Sequence, residues 1–143
     1  MAWFSRKDRP SAERDVAPDA ADESSAEPPL RPVIERLGVE EQQRLAAGRA
    51  ALERAGIDVG DLPVLGAAYD AALAAWQTAR KGEREDERDL VERFAIGIGE
   101  HLHRHTDLSW SRVTDAFGTD LAVAGGKDEF VVVPGNLVAA RWM

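Results

Sequence analysis

Apolar residues recur through most of this chain at steps of three and four, and only the last third changes to short runs separated by Gly-containing breaks. The first pattern marks helices with a buried stripe, the second marks strands between turns. Leu30, Val33, Ile34 and Leu37 form a short stripe that Gly38 ends, read as a helical turn or two. Val39, Leu45 and Leu52 then predict a helix over 39–55, where Gly56 followed by Ile57 suits a left-handed stop with its apolar contact. Asp58 and Asp61 are suited to cap the next helix, Pro63 sits just inside it, and Leu65, Tyr69, Leu73 and Trp76 carry it over 62–80. That aromatic-rich stripe is read as packing rather than as a ligand-stacking surface.

The charged run Glu83-Arg84-Glu85-Asp86-Glu87-Arg88-Asp89 places acids where the N-terminal helix dipole favours them, and a third helix follows over 86–106. Leu90, Phe94, Gly97, Ile98, His101 and His105 share one face, while Ala95, Ile96, Gly99 and Leu102 spread small or apolar residues around the others. Such a helix is buried on more than one side. Gly97 and Gly99 each weaken a helix interior by about 1 kcal/mol relative to Ala, so they are read as notches where neighbours approach closely. Without a preceding strand and a third glycine they do not form a phosphate loop.

Strands are predicted over 109–114, with Trp110 and Val113, and over 121–124 after the Gly118-Thr119-Asp120 turn. A third is predicted over 129–133 after Gly125-Gly126-Lys127-Asp128. Phe130 to Val133 are continuously apolar, so this last strand is expected to be covered on both faces. Pro134-Gly135-Asn136 stops it, and the first turns of a helix follow with Asn136 or a neighbour as cap. The fold class is therefore α+β: three main helices, a short three-stranded antiparallel meander and a C-terminal helical turn, forming a single domain over 30–143. The last helix reaches the end of the sequence without a C-terminal cap and is expected to be very short or cut.

Residues 1–29 are poor in large apolar side chains and rich in Ala, Ser, Pro, Asp and Glu, a composition read as a disordered acidic tail. It opens with Trp3-Phe4-Ser5-Arg6-Lys7, two aromatics beside two cations, suited at most to marginal contact with a membrane surface or a partner groove. The net charge of −8 argues against nucleic acid as a partner, because phosphate binding needs cations gathered on one face. No window approaches the length of a membrane span, no secretory signal opens the chain, and with no cysteine there is neither a disulfide framework nor a thiolate site. A cytoplasmic location is expected.

All three histidines fall in His101-Leu102-His103-Arg104-His105. On a helix His101 and His105 lie about 40° apart and His103 points away, leaving a two-histidine pair that needs a third metal ligand such as Asp107 or Asp115. Histidines at a helix end are the simpler reading, since they suit the negative dipole there. Asp115 and Asp120 flank the Phe117-Gly118 turn and are read first as turn formers. No nucleophile elbow is present, and a triad of Ser111, His105 and Asp115 would rest on nearness in sequence alone.

Three segments carry a family resemblance: Gly97-Ile98-Gly99-Glu100-His101-Leu102, the run from Trp110 through Asp115 and Gly118 to Val123, and Val133-Pro134 with Arg141. The chain over 61–142 resembles the bacterial family of domain of unknown function 3806. The resemblance implies the fold, continuation past Arg141 and no activity; Gly97, Gly99, Glu100, Trp110, Asp115, Gly118, Pro134 and Arg141 match its pattern, and the three histidines do not. Glu100, Trp110, Asp115 and Arg141 are expected to meet at one end of the meander as a polar cluster, with Arg141 paired to Glu100 or Asp115. The leading expectation is a non-catalytic protein-binding or regulatory module in a bacterial cytoplasm, with a protein partner and no cofactor. The alternatives are a small metal-dependent or hydrolase-like enzyme using His101, His105 and Asp115, and an immunity-type protein.

Overall fold

The computed structural model describes residues 31–127 and 129–142. The tail and its Trp3-Phe4 segment lie outside the described residues. In chain order the elements are strand β1 (Val33–Glu35), helices α1 (Val39–Arg54) and α2 (Leu62–Thr78), a 3-10 turn (Lys81–Glu83), helix α3 (Glu87–His105), strands β2 (Leu108–Asp115), β3 (Gly118–Gly125) and β4 (Phe130–Val132), and helix α4 (Pro134–Trp142). The class is α+β, as expected, with four helices and a four-stranded antiparallel sheet in the order β1-β2-β3-β4.

The helix ends follow local chemistry. Gly56 takes a φ of +72°, its N–H reaches the Glu53 carbonyl and the Ile57 N–H reaches the Leu52 carbonyl, so two of the orphan carbonyls at the end of α1 are used. Asp61 caps α2 by accepting from the Val64 N–H at 3.2 Å, with Pro63 in the first turn. Asp86 does the same for α3 through the Arg88 N–H at 2.9 Å. The acids after it begin an exposed, dipole-matched start, where Glu85 also pairs with Arg93.

Three expectations need correction. Residues 33–35 form a strand rather than a helical turn, pairing Val33, Ile34 and Glu35 with Thr114, Val113 and Arg112. A stripe this short satisfies either period, and the strand exists because β2 offers a free edge. The strand buried on both faces is β3, not β4. Leu121 and Val123 share the face of Trp110 while Ala122 and Ala124 point the other way, and all four β3 residues are buried. Phe130 on the short edge strand β4 is 61 % exposed. Finally, α4 begins at Pro134, with the Val133 carbonyl accepting from the Asn136 N–H, so Asn136 lies inside the first turn rather than capping it.

Leu45 and Leu52 of α1, Leu65 and Tyr69 of α2, Leu90, Phe94 and Ile96 of α3, Leu121 of β3, and Val138 and Trp142 of α4 make one core. Tyr69 meets the edges of Phe94 and Trp142, and Trp76 meets Trp142, in T-shaped pairs with centroids 5.3, 5.9 and 5.4 Å apart. Trp76 is thus part of the packing, with its indole N–H on the Glu85 carbonyl and Arg84 over its ring. The glycines of α3 are notches: a Cβ at Gly97 would lie 2.9 Å from Leu65 Cδ1, and one at Gly99 would fall inside the contact distance of the Trp110 ring. Helix α3 therefore lies central, between α1 and α2 on one side and the sheet on the other.

Candidate functional site

Glu100 is the one buried charged side chain among the described residues, 4 % exposed on the central helix. Gly99, one residue before it, lets the Trp110 ring of β2 lie directly on the α3 backbone, and this brings the indole N–H to Glu100 Oε1 at 2.9 Å. The same oxygen accepts from Arg49 Nε at 2.6 Å, and Oε2 faces Arg104 Nε at 3.5 Å, one helical turn on. Burial pushes the carboxyl upward, but the hydrogen bonds from Arg49 and Trp110 and the charges of Arg49 and Arg104 outweigh it, so Glu100 sits below the ordinary carboxylate range. Arg49 and Arg104 keep about half of their side chains in water and close over a cavity of about 320 Å³ rimmed by Glu53 and Asp58.

Of the expected polar cluster, the structure brings Glu100 and Trp110 together and places the other two elsewhere. Asp115 closes the β2–β3 hairpin, its Oδ1 accepting the Phe117 N–H at 2.7 Å. Arg141 lies on α4 with its guanidinium 3.5 Å from Asp70 and over the Tyr69 ring, so it pairs with neither Glu100 nor Asp115. Arg49, the partner that sequence reasoning missed, comes from α1, far along the chain from Glu100. The signal available for it is indirect: a glutamate amid Gly, Ile and Leu on a buried helix requires a cation from somewhere.

The histidines are held by backbone oxygens. Nδ1 of His101 donates to the Val59 carbonyl at 2.9 Å, Nδ1 of His103 to Leu108 at 2.8 Å and Nδ1 of His105 to His101 at 2.9 Å. His101 and His105 stack at 4.2 Å between centroids, as the helical spacing predicts, and His103 points to the start of β2. Among the described residues no group of three His, Asp or Glu side chains is disposed to hold a metal ion, and Asp115 is engaged in its own turn. Ser111 Oγ donates to the Ser109 carbonyl.

Trp110 links the buried carboxylate to a second cavity, a cleft of about 430 Å³. Its floor is Val91, Ala95 and Ile96 of α3; Trp110 and Leu121 of the sheet form one wall and Val133, Pro134 and Gly135 at the start of α4 the other. Charges ring the mouth: Arg44 of α1 bonded to Glu92, with Glu87, Arg88 and Asp120 free of any ion pair among the described residues. An apolar floor with a few charges at its rim suits recognition of an apolar group in a defined orientation. Trp110 is the shared element, since Glu100, Arg49 and Gly99 fix the ring that walls the cleft.

The family model described as domain of unknown function (DUF3806) matches residues 64–143, which span α2 through α4 and contain Glu100, Trp110 and most of the cleft. The chain belongs to this family. Its matched segment includes every residue of the Gly-Ile-Gly-Glu helix turn and the Trp110 strand, whereas α1, with Arg44 and Arg49, lies before it. No curated protein and no solved structure matches the chain. No helix among the described residues is long and apolar enough to cross a membrane.

Proposed function

We propose that this domain is a non-catalytic protein-binding or regulatory module of a bacterial cytoplasm, and that its recognition surface is the cleft between α3, the sheet and α4. The observation that carries this reading is the cleft itself: an apolar floor on the central helix, walled by a tryptophan held from behind by Glu100 and rimmed by charges of which Glu87, Arg88 and Asp120 have no ion pair among the described residues. Hot spots in protein interfaces are built around such anchored aromatic walls with charged rims. The buried carboxylate supports the same reading. A general base needs a free lone pair and a pKa near the working pH, whereas Glu100 is held ionised and its Oε1 is already occupied by Arg49 and Trp110. It acts as a brace for the wall of the cleft.

The test is affinity capture from native cells with the tagged full-length protein, beside a variant carrying Arg88→Glu and Asp120→Lys. Both residues are exposed and free of ion pairs among the described residues, so the variant is expected to keep its fold and melting temperature. A stoichiometric protein partner bound by the wild type and lost from the variant supports the cleft as its surface. A partner held equally by both sinks it, and turnover of a small molecule that stops in Glu100→Gln with the fold intact defeats the non-catalytic reading.

A further inference from the structure

We propose that α2 and α4 form a homodimer surface, on which a second copy of this chain packs the same two helices about a two-fold axis. The surface shares no residue with the cleft, so this inference stands apart from the reading of that site.

The composition of the two helices is the first argument. α2 lies on the outside of the domain, with Leu62, Val64, Gly66, Ala67, Ala71 and Ala74 exposed. A surface helix ordinarily carries charges on its outer face, as α1 does with Glu40, Arg44, Glu53 and Arg54. Between them α2 and α4 hold one acid, Asp70, and one base, Arg141, in a chain that carries −8. A helix apolar on its inner and outer sides belongs in an interior, yet no described element covers the outer face of α2.

The groove between the two helices is the second. It has a volume of about 250 Å³, a floor of Tyr69, Phe94 and Ile98, and lips of Leu62 and Leu137, each 55 % exposed. Gly66 stands in its wall. Of the glycines inside α1, α2 and α3, Gly48, Gly97 and Gly99 make room for Ile96, Leu65 and Trp110 respectively, whereas a Cβ at Gly66 would meet nothing within 4 Å. Glycine weakens a helix interior, and at Gly66 no contact within the domain accounts for it. A side chain from outside does. With two copies docked about a two-fold axis, a leucine lip of each fills the groove of the other.

Charge selects a second copy over an unrelated protein. Arg141 lies 3.5 Å from Asp70, and the two side chains are 68 and 64 % exposed, so the pair is loose enough to exchange partners. In a two-fold interface, if one residue meets another across the axis the reciprocal contact also forms, so each Arg141 meets Asp70 of the second copy. One acid and one base on the same face are thus self-complementary. Arg141 is the one charge lining the groove among the described residues, and Asp61, beside Leu62, turns its carboxylate onto the Val64 N–H of its own helix. The rest of the −8 lies outside the contact.

The experiment is sedimentation equilibrium of the full-length protein from about 1 μM to 1 mM. Wild type should pass from monomer to dimer within that range. Leu137→Glu and Gly66→Leu, both at exposed positions, should keep the circular dichroism of the wild type and weaken dimerisation about tenfold or more. Asp70→Arg and Arg141→Asp should each be monomeric, because each sets like charges opposite one another. An equimolar mixture of those two variants should dimerise, since one chain of each kind restores both pairs. A wild type that stays monomeric to about 1 mM overturns the proposal. So does a dimer indifferent to both Leu137→Glu and Gly66→Leu, or a mixture of the charge variants that stays monomeric. A monomer that captures a different protein, with capture lost in Leu137→Glu, also overturns it and gives the face to that partner.

Discussion

The glycines of the helices offer a graded test of how closely the sheet sits on α3. At Gly66 of α2 an added Cβ would meet no atom within 4 Å, so Gly66→Ala gains helix propensity alone. That gain is about 1 kcal/mol, or roughly 5 °C in Tm for a domain of this size. At Gly97 the new methyl meets the flexible tip of Leu65 at 2.9 Å, and the propensity gain and the crowding nearly cancel. At Gly99 it meets the rigid Trp110 ring, which cannot retreat without drawing its indole N–H away from Glu100. Overpacking costs about 1–3 kcal/mol and the strained hydrogen bond about 1 kcal/mol more. Set against the same propensity gain, the net loss is about 2 kcal/mol, a fall of roughly 10 °C. Thermal and urea unfolding of the three variants, followed by circular dichroism and tryptophan fluorescence, reads the series. If Gly99→Ala were as stable as Gly66→Ala, the ring would not lie on the α3 backbone, and the account of the cleft wall would be wrong.

Glu100→Ala should destabilise the domain by about 1–3 kcal/mol in urea titrations. It leaves the Trp110 N–H without its acceptor, while the half-exposed Arg49 and Arg104 recover solvation, which keeps the loss below that of a fully buried pair. Because the folded Glu100 carboxyl lies below its ordinary range, its contribution to stability is fully present above the unfolded carboxylate pKa and is lost as pH falls through the folded one. Wild type should therefore lose more stability between neutral and acid pH than Glu100→Gln does, and parallel pH profiles would refute the ion cluster. Gly56→Ala, forced to hold a φ of +72°, should cost about 1 kcal/mol, visible as a lower Tm. Asp86→Ala should cost about 1 kcal/mol through loss of the α3 cap, with faster amide exchange in the first turn of that helix.

The residues that end elements were the most legible part of the chain. Asp61 and the Gly56-Ile57 pair act within a few residues of themselves, so their consequences follow from local chemistry, and the structure shows both in use. The two-sided burial of α3 and the notches at Gly97 and Gly99 were also readable, because glycine inside a helix is costly unless a neighbour needs the space. β1 was not. Its three residues carry a pattern common to a helical turn and a strand, and only pairing with β2 separates the two.

Glu100 and Trp110 were named from the sequence as members of one polar cluster, and in the structure the Trp110 indole N–H donates to the Glu100 carboxylate. Arg141 and Asp115 were grouped with them because they belong to one family pattern, yet a shared pattern does not imply contact: one pairs on α2 and the other closes a hairpin. The cleft had no sequence signature at all, since its walls come from α1, α3, two strands and the start of α4. The sequence by itself determined the three long helices, the caps at Asp61 and Gly56-Ile57, and which helix lies central, because those depend on interactions within a few residues and on periodicity. Tertiary structure alone decided that Arg49 would neutralise Glu100 and that a cleft would form between α3, the sheet and the start of α4. Those outcomes depend on distances between segments far apart in the chain, which no local pattern encodes.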